Sequence, residues 1–137
     1  MNDVERFGHA KGAGELTGRS DDVQVFFNPR CSKCRTVRAI LEERGLEADY
    51  LRYLEQTPTR ADLERVLALL GTDDPRKMMR TSEPIYRELD LASADSDALL
   101  DAMVKNPILI QRPIVIRGDR AVIGRPPERA LELFETG

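Results

Sequence analysis

The 137-residue sequence has no tryptophan, a single histidine and only two cysteines. Structural zinc sites take about four ligands, usually cysteine and histidine, and this chain readily offers fewer. The histidine, His9, also lies in a glycine-rich leading segment, away from Cys31 and Cys34 in the sequence. The sequence therefore predicts no metal site and no tightly bound cofactor.

A long apolar run and a basic cluster are also missing. Charged residues make up 33% and hydrophobic residues 41%, a balance typical of a soluble globular protein with no membrane span. A net charge of −3 without a basic patch gives no electrostatic footprint for nucleic acid. Residues 1–22 carry scattered charges and glycines where a secretory signal has an apolar core. We therefore expect a cytoplasmic protein, whose paired cysteines are more often catalytic than structural.

The length fits one domain with its own hydrophobic core. Residues 1–22 are rich in glycine and show no apolar periodicity. Such a segment does not bury enough apolar surface to order itself. We predict a flexible N-terminal extension over residues 1–22, followed by a single domain over residues 23–137.

Apolar periodicity in this domain predicts two strands that flank a helix, followed by a helical insert. The first strand covers Val23–Phe27, the first helix runs from Cys31 to Gly45, and the second strand covers Asp49–Leu54. One helix between two strands is a βαβ unit, so the strands should be parallel. Helical patterns over 59–71, 75–80 and 97–105 then form an insert too regular to be a loop, which should pack as part of the domain.

The last third of the chain returns to strand. The pattern predicts a hairpin from residues 113–116 and 121–124, and a closing helix that begins at the prolines 126–127. Ala130, Leu131 and Phe134 fall on one side of that helix. The whole order, β-α-β, helical insertion and β-β-α, predicts an α/β thioredoxin-like fold with a mixed sheet.

The motif Cys31-Ser32-Lys33-Cys34 lies at the turn between the first strand and the first helix. Unsatisfied N–H groups and the helix dipole favour a thiolate there, so Cys31 is the candidate nucleophile. C-x-x-C at such a junction is typical of redox chemistry, with half of a zinc site or inert packing as alternatives. Cys34 lies one turn on, on the inward face, where it is either a resolving thiol that forms a disulfide with Cys31 or a buried structural thiol.

Three motifs in this order resemble those of the glutaredoxin-coupled arsenate reductases, a family that also contains Spx-type redox-sensing transcription regulators. They are Asn28-Pro29-x-Cys31, the run Pro107-Ile108-Leu109-Ile110-x-Arg112-Pro113-Ile114-Val115, and Gly124-Arg125-Pro126. The resemblance covers residues 23–135 and implies a thioredoxin-like fold. It also implies reduction of arsenate to arsenite through a thiol–arsenate adduct on Cys31, with glutathione as co-substrate and glutaredoxin as reductant.

The same resemblance implies that Arg80, Arg112 and Arg125 bind the oxyanion. Guanidinium forks stay charged and suit an anion with several acceptor oxygens, and they also favour the Cys31 thiolate. Arg80 and Arg125 could instead be surface residues at helix ends. Arg112 precedes Pro113, at the point where a thioredoxin-like fold often places a cis-proline beside the nucleophile.

Two residues depart from the arsenate reductase pattern. Phe27 stands where relatives can carry a histidine that lowers the cysteine pKa, so the helix and the arginines would have to suffice. Cys34 completes a C-x-x-C that is more typical of the Spx-type branch, and it would allow thioredoxin to replace glutathione as reductant. The alternatives to a reductase are therefore a disulfide-sensing regulator that binds RNA polymerase and a relative that has lost arsenate as its substrate.

Overall fold

The computed structural model describes residues 22–135, so all but the last residue of the predicted extension, including His9, lies outside the described residues. The strands are β1 (Val23–Phe26), β2 (Asp49–Leu51), β3 (Ile114–Arg117) and β4 (Arg120–Ile123). The α-helices are α1 (Ser32–Glu43), α2 (Arg60–Leu69), α3 (Pro84–Glu88) and α4 (Ser96–Lys105), and short 3-10 helices span Pro75–Met78, Leu91–Ser93, Pro107–Leu109 and Pro127–Phe134. Within residues 22–135, no helix has the length and apolar character needed to cross a bilayer.

The four strands form one mixed sheet in the order β2-β1-β3-β4. The β1 and β2 strands are parallel, as predicted, whereas β3 is antiparallel to both β1 and β4. Phe26 pairs with Leu51 and with Ile114, which in turn pairs with Ile123. The loops after β1, β2 and β4 and the chain entering β3 therefore meet at one edge, which we call the Cys31 edge of the sheet.

Two apolar layers cover the sheet. On one face, α1 and the C-terminal 3-10 helix pack on Val25, Val115 and Val122. On the other face, the insert packs on Phe26 and Ile114. The insert contributes fully buried side chains, Leu63, Leu99 and Met103, each stabilising by about 1.5–3 kcal/mol on burial. The predictions of a thioredoxin-like α/β fold and of an insert that packs with the domain are thus confirmed.

Local signals at the helix ends act as the sequence predicted. Thr59 caps α2 in a reciprocal box, because its hydroxyl accepts the N–H of Asp62 at 3.1 Å while the Asp62 carboxylate accepts the N–H of Thr59 at 2.8 Å. Gly45 and Gly71, just beyond α1 and α2, have φ of 70° and 78°. That left-handed backbone is accessible to glycine at little cost, so both helices stop there.

The second strand is shorter than predicted. It ends at Leu51 instead of Leu54 because the chain turns at Arg52, whose carbonyl accepts the N–H groups of Glu55 and Gln56, both at 2.9 Å. Alternating apolarity continues through this turn, with Tyr53 buried and Leu54 exposed. Because this turn keeps the alternation of buried and exposed residues that a strand has, the sequence pattern alone does not distinguish it from a longer strand.

The closing helix has a different period from the predicted one. It is a 3-10 helix over Pro127–Phe134, and its buried residues are Ala130 and Leu133. Leu131 and Phe134, predicted to share the inward side with Ala130, are only partly buried. With three residues per turn, the inward positions recur every third residue, so Leu133 replaces Leu131.

Candidate active site

Cys31 is the N-cap of α1, with extended backbone angles and a side chain only 8% exposed. The loop before it is held by short hydrogen bonds. The Cys31 N–H donates to the Asn28 carbonyl at 2.9 Å, and the Asn28 side-chain oxygen accepts the Arg30 N–H at 3.0 Å. The Arg35 guanidinium donates to the Pro29 carbonyl at 2.9 Å. The thiol therefore has a fixed position at the helix N-terminus.

Burial disfavours the charged form of the Cys31 thiol, yet the pKa of Cys31 lies below its ordinary value. Four groups lower the pKa and together outweigh burial. They are the backbone N–H of Cys34, the Cys34 thiol, the positive charge of Arg112 and the backbone N–H of Lys33. The first turn of α1 carries no acidic side chain to oppose them. The arrangement favours a thiolate nucleophile without any contribution from a histidine.

Cys34 is fully buried, and its sulfur accepts the backbone N–H of Asn28 at 3.5 Å. Burial, followed by the nearby Cys31 sulfur, raises the pKa of Cys34 to about 12, against the lowering by the Asn28 N–H and by Arg112. Both thiols are free. Because Cys34 remains a neutral thiol at physiological pH, it can donate its proton in a hydrogen bond to the Cys31 sulfur.

Arg112 enters β3 through a cis peptide bond to Pro113, as the sequence predicted. Its Nε and Nη1 atoms are buried, and no group within residues 22–135 accepts a hydrogen bond from either. A buried donor that lacks an acceptor costs on the order of 1–3 kcal/mol. The same guanidinium lowers the pKa of both Cys31 and Cys34. A charged fork without an acceptor beside a thiolate is an arrangement that an anion would complete.

Arg125 lies against Arg112. Its Nε donates to the Arg112 carbonyl at 2.8 Å, and the preceding Gly124 N–H donates to the Pro113 carbonyl at 2.9 Å. A Cβ at Gly124 would lie only 3.0 Å from the Pro113 ring and 3.1 Å from a methyl of Val37 on α1. The absent side chain at Gly124 therefore lets the chain after β4 pack between Pro113 and α1.

Arg80 comes from the insert, and its backbone N–H donates to the Leu109 carbonyl at 2.8 Å. Its guanidinium pairs with Glu83 at 2.5 Å, and the two side chains are only 23% and 16% exposed. The structure thus brings Arg112 to the thiols, joins Arg125 to Arg112 and gives Arg80 an acidic partner. That the three arginines share one oxyanion remains a prediction.

Tyr53 is a site residue that the sequence analysis did not single out. Burial raises the pKa of the Tyr53 hydroxyl. The charges of Arg112 and Arg80 lower it, and the sulfurs of Cys34 and Cys31 raise it. Its ring stacks on Phe26 with a centroid distance of 5.9 Å. Tyr53 is therefore a neighbour of both thiols and two of the arginines. Because Tyr53 lies in a short alternating segment, the sequence indicated only a core aromatic residue and not a neighbour of the cysteines.

Phe27, at the position where relatives can carry a histidine, is buried in apolar surroundings. Its ring makes an edge-to-face contact with Tyr50 at 5.2 Å between centroids, and the Arg38 guanidinium lies 4.9 Å from its centre. This side chain has no proton to exchange with a thiol. The lowered pKa of Cys31 consequently depends on helix N–H groups, the Cys34 thiol and Arg112.

The fold and this arrangement define a thioredoxin-like protein with a thiol of lowered pKa at the start of its first helix. The chain belongs to the ArsC family, which it matches over residues 26–133.

Individual relatives agree with this assignment. The chain is 45% identical to the uncharacterised Escherichia coli protein YfgD, over 81% of this chain and 95% of that protein. It is 43% identical to a protein of Haemophilus influenzae named arsenate reductase, over 82% of this chain and 98% of the relative. A solved structure described as arsenate reductase from Vibrio cholerae superposes with a TM-score of 0.80 at 41% identity, covering 84% of this chain and 99% of that one.

Proposed function

We propose that this protein is an arsenate reductase whose nucleophile is Cys31. The observation that carries the proposal is the Arg112 guanidinium beside a thiol of lowered pKa, because two of its nitrogens are buried and lack an acceptor within residues 22–135. Relatives named arsenate reductase at 41–43% identity support the enzyme over the Spx-type regulator that the C-x-x-C spacing also permits.

Arsenate binding is the first step of the proposed reaction. Arsenate carries negative charge at neutral pH, and its oxygens accept hydrogen bonds from Arg112 Nε and Nη1. Arg125 adds positive charge from the next loop, and Arg80 reaches the anion if it leaves or shares Glu83. Charge-assisted hydrogen bonds of this kind are about twice as strong as neutral ones.

The covalent step joins Cys31 to arsenic. The thiolate forms a sulfur–arsenic bond, an arsenic–oxygen bond breaks, and the leaving oxygen takes up protons and departs as water. Arsenic is still arsenic(V) at this stage. The helix N-terminus and Arg112 that stabilise the free thiolate also hold the incoming anion, so attack needs little rearrangement of the site.

Reduction requires electrons from further thiols. Glutathione replaces a second arsenic oxygen, which leaves as water, and forms a second sulfur–arsenic bond. A glutaredoxin thiolate then attacks the glutathione sulfur, and the electron pair of that sulfur–arsenic bond passes to arsenic. The products are a glutaredoxin–glutathione disulfide and arsenic(III) on Cys31, which water releases as arsenite.

The position of Cys34 supports an external thiol as the reductant. A fully buried thiol with a pKa raised to about 12 is a poor attacking group at neutral pH. The alternative is a resolving role, in which Cys34 closes a disulfide with Cys31 and thioredoxin reduces it.

Single-turnover release of arsenite tests the proposal. Wild-type protein is loaded with arsenate and then given either glutathione with glutaredoxin or thioredoxin alone. We expect release with the first pair and none in a Cys31→Ser variant. A wild-type protein that releases no arsenite with either system would refute the assignment. Release with thioredoxin alone that is lost in Cys34→Ser would instead establish the resolving role.

A further inference from the structure

A groove of about 370 Å³ adjoins the nucleophile loop on the side of β2. One wall is the loop that leads into Cys31, including Pro29 and Arg30, and the opposite wall is the turn after β2. Arg112 and Arg125 reach the same Cys31 edge from β3 and β4, on the other side of β1. The Cys31 loop therefore lies between an anion-binding flank and this second cavity.

The groove is charged in a specific way. Two positively charged residues, Arg30 and Arg52, and one negatively charged residue, Glu55, line it. Arg52 and Glu55 form an ion pair with a nitrogen–oxygen distance of 3.4 Å, and their side chains are 47% and 64% exposed. Such a pair contributes little stability and can open to a ligand at small cost. Exposed arginine forks are suited to carboxylates in bidentate geometry.

An apolar patch completes the groove. Leu54 is one of the few large apolar side chains exposed in residues 22–135, with 42% of its surface accessible, and it lies on the groove next to Pro29. The volume is within the range of about 300–1,000 Å³ typical of small-ligand pockets.

We propose that this groove binds a small peptide thiol carrying two carboxylates and one ammonium group, the co-substrate that attacks the adduct on Cys31. Arg30 and Arg52 receive the two carboxylates, Glu55 receives the ammonium group, and Leu54 contacts the methylene stem. The inference rests on the proposed function, since it assigns the second thiol of that reaction to a place on the opposite flank from the anion.

The groove then orients one step of the reaction. The bound thiol forms its sulfur–arsenic bond as an arsenic oxygen leaves as water, and no electron passes to arsenic until the next thiol attacks. Approach from the β2 side leaves the arginines of the other flank in contact with the remaining oxygens. A neutral thiol without carboxylates forms no ion pair with Arg30 or Arg52. Its rate of reaction should therefore not saturate through binding in the groove.

The test compares glutathione with 2-mercaptoethanol as the thiol, in the presence of glutaredoxin and saturating arsenate. The variants are Arg52→Ala and the double variant Arg30→Ala with Arg52→Ala, and the matched control is Arg65→Ala, an exposed arginine on α2. We expect the double variant to raise the KM for glutathione at least tenfold relative to the control. Its ratio of glutathione-supported to mercaptoethanol-supported rates should fall by the same factor.

A binding measurement separates this inference from the proposed function. S-methylglutathione cannot attack arsenic, so its effect on the backbone amide NMR signals of the groove is independent of catalysis. We expect shifts at Leu54 and Glu55 that the double variant removes. Absence of shifts in wild-type protein would overturn the groove even if arsenate is reduced. Shifts without any arsenate reduction would retain the peptide site and refute the reductase.

A kinetic result also distinguishes a protein partner. If the double variant changed the KM for glutaredoxin but not that for glutathione, the groove would be a docking surface for the protein, and the peptide-thiol site would be wrong.

Discussion

Two thiols at the start of α1, Cys31 at the N-cap and Cys34 in the first turn, have pKa values shifted in opposite directions. At the N-cap, Cys31 has a lowered pKa although it is 8% exposed. Cys34, one turn further and without exposed surface, has a pKa raised to about 12. Two thiols on one helix thus differ in the property that makes a cysteine nucleophilic.

Burial raises the pKa of both thiols, and only at Cys31 do hydrogen-bond donors and a positive charge outweigh it. Cys31 faces the N–H groups of Lys33 and Cys34, which have no carbonyl partner at the start of a helix, and the guanidinium of Arg112. Cys34 receives one long hydrogen bond from Asn28 and lies next to a competing sulfur. One member of the pair is poised to attack, and the other is poised to donate a proton.

The largest effect should come from removing the reactive member. Cys31→Ser should reduce arsenite release to the background rate, because a serine hydroxyl is not ionised at neutral pH and cannot replace the thiolate. Cys34→Ser should keep glutathione-coupled turnover. Single-turnover arsenite release measures both. If the Cys34 variant were inactive and the Cys31 variant active, the roles of the two thiols would have to be exchanged.

Removing the shared cation should have the next largest effect. Arg112→Ala deletes the guanidinium that binds arsenate in the proposed reaction, so kcat/KM for arsenate should fall roughly thirtyfold, equivalent to about 2 kcal/mol. Arg125→Ala and Arg80→Ala should act in the same direction. Arg65→Ala, exposed on α2, is the control. Near wild-type turnover in all three site variants would argue decisively against an oxyanion site.

A smaller effect should follow from removing the donor thiol. Cys34→Ala deletes a hydrogen bond to the Cys31 sulfur, so the pKa of Cys31 should rise and the midpoint of iodoacetamide labelling should move to higher pH. Cys34→Ser, which keeps a hydroxyl donor, should move it less. Each variant has a single cysteine, so labelling reports Cys31 alone. A midpoint that is identical in wild type and Cys34→Ala would mean that the Cys34 thiol is not a donor.

The smallest effect concerns stability, where the two thiols should have opposite slopes with pH. The folded pKa of Cys34, about 12, exceeds the ordinary value of 9.0, so its contribution is complete below pH 9 and is lost as the pH rises towards 12. The lowered pKa of Cys31 acts in reverse and adds stability at alkaline pH. In the Cys31→Ser variant only the Cys34 effect remains, so the free energy of unfolding should fall by about 1 kcal/mol between about pH 8 and pH 10.

Urea unfolding at the two pH values measures this difference. The double variant Cys31→Ser with Cys34→Ser is the reference, because it retains Tyr53 and the other alkaline groups. Parallel slopes in the single and double variants would show that Cys34 ionises as readily in the folded protein as in the unfolded chain.

Features that depend on local sequence were predictable. The order of the elements along the chain, the parallel β1–β2 pair, the Thr59 cap and the cis bond before Pro113 all follow from periodicity, capping residues or motif position. Pairings between distant segments were not. The Arg80–Glu83 pair, the donation from Arg125 to the Arg112 carbonyl and the place of Tyr53 beside the thiols depend on how the insert meets the sheet. No spacing along the chain encodes those contacts.

The tight contact of Gly124 with its neighbours has a mechanical consequence for the site. With the Pro113 ring and Val37 each about 3 Å from the place of a Cβ, only the backbone of Gly124 separates α1 from the start of β3. The helix that carries the sulfur and the strand that carries the Arg112 guanidinium therefore pack against the same backbone position, with no side chain between them. Their spacing is set when the chain folds, so little reorganisation energy remains to be spent when an anion arrives.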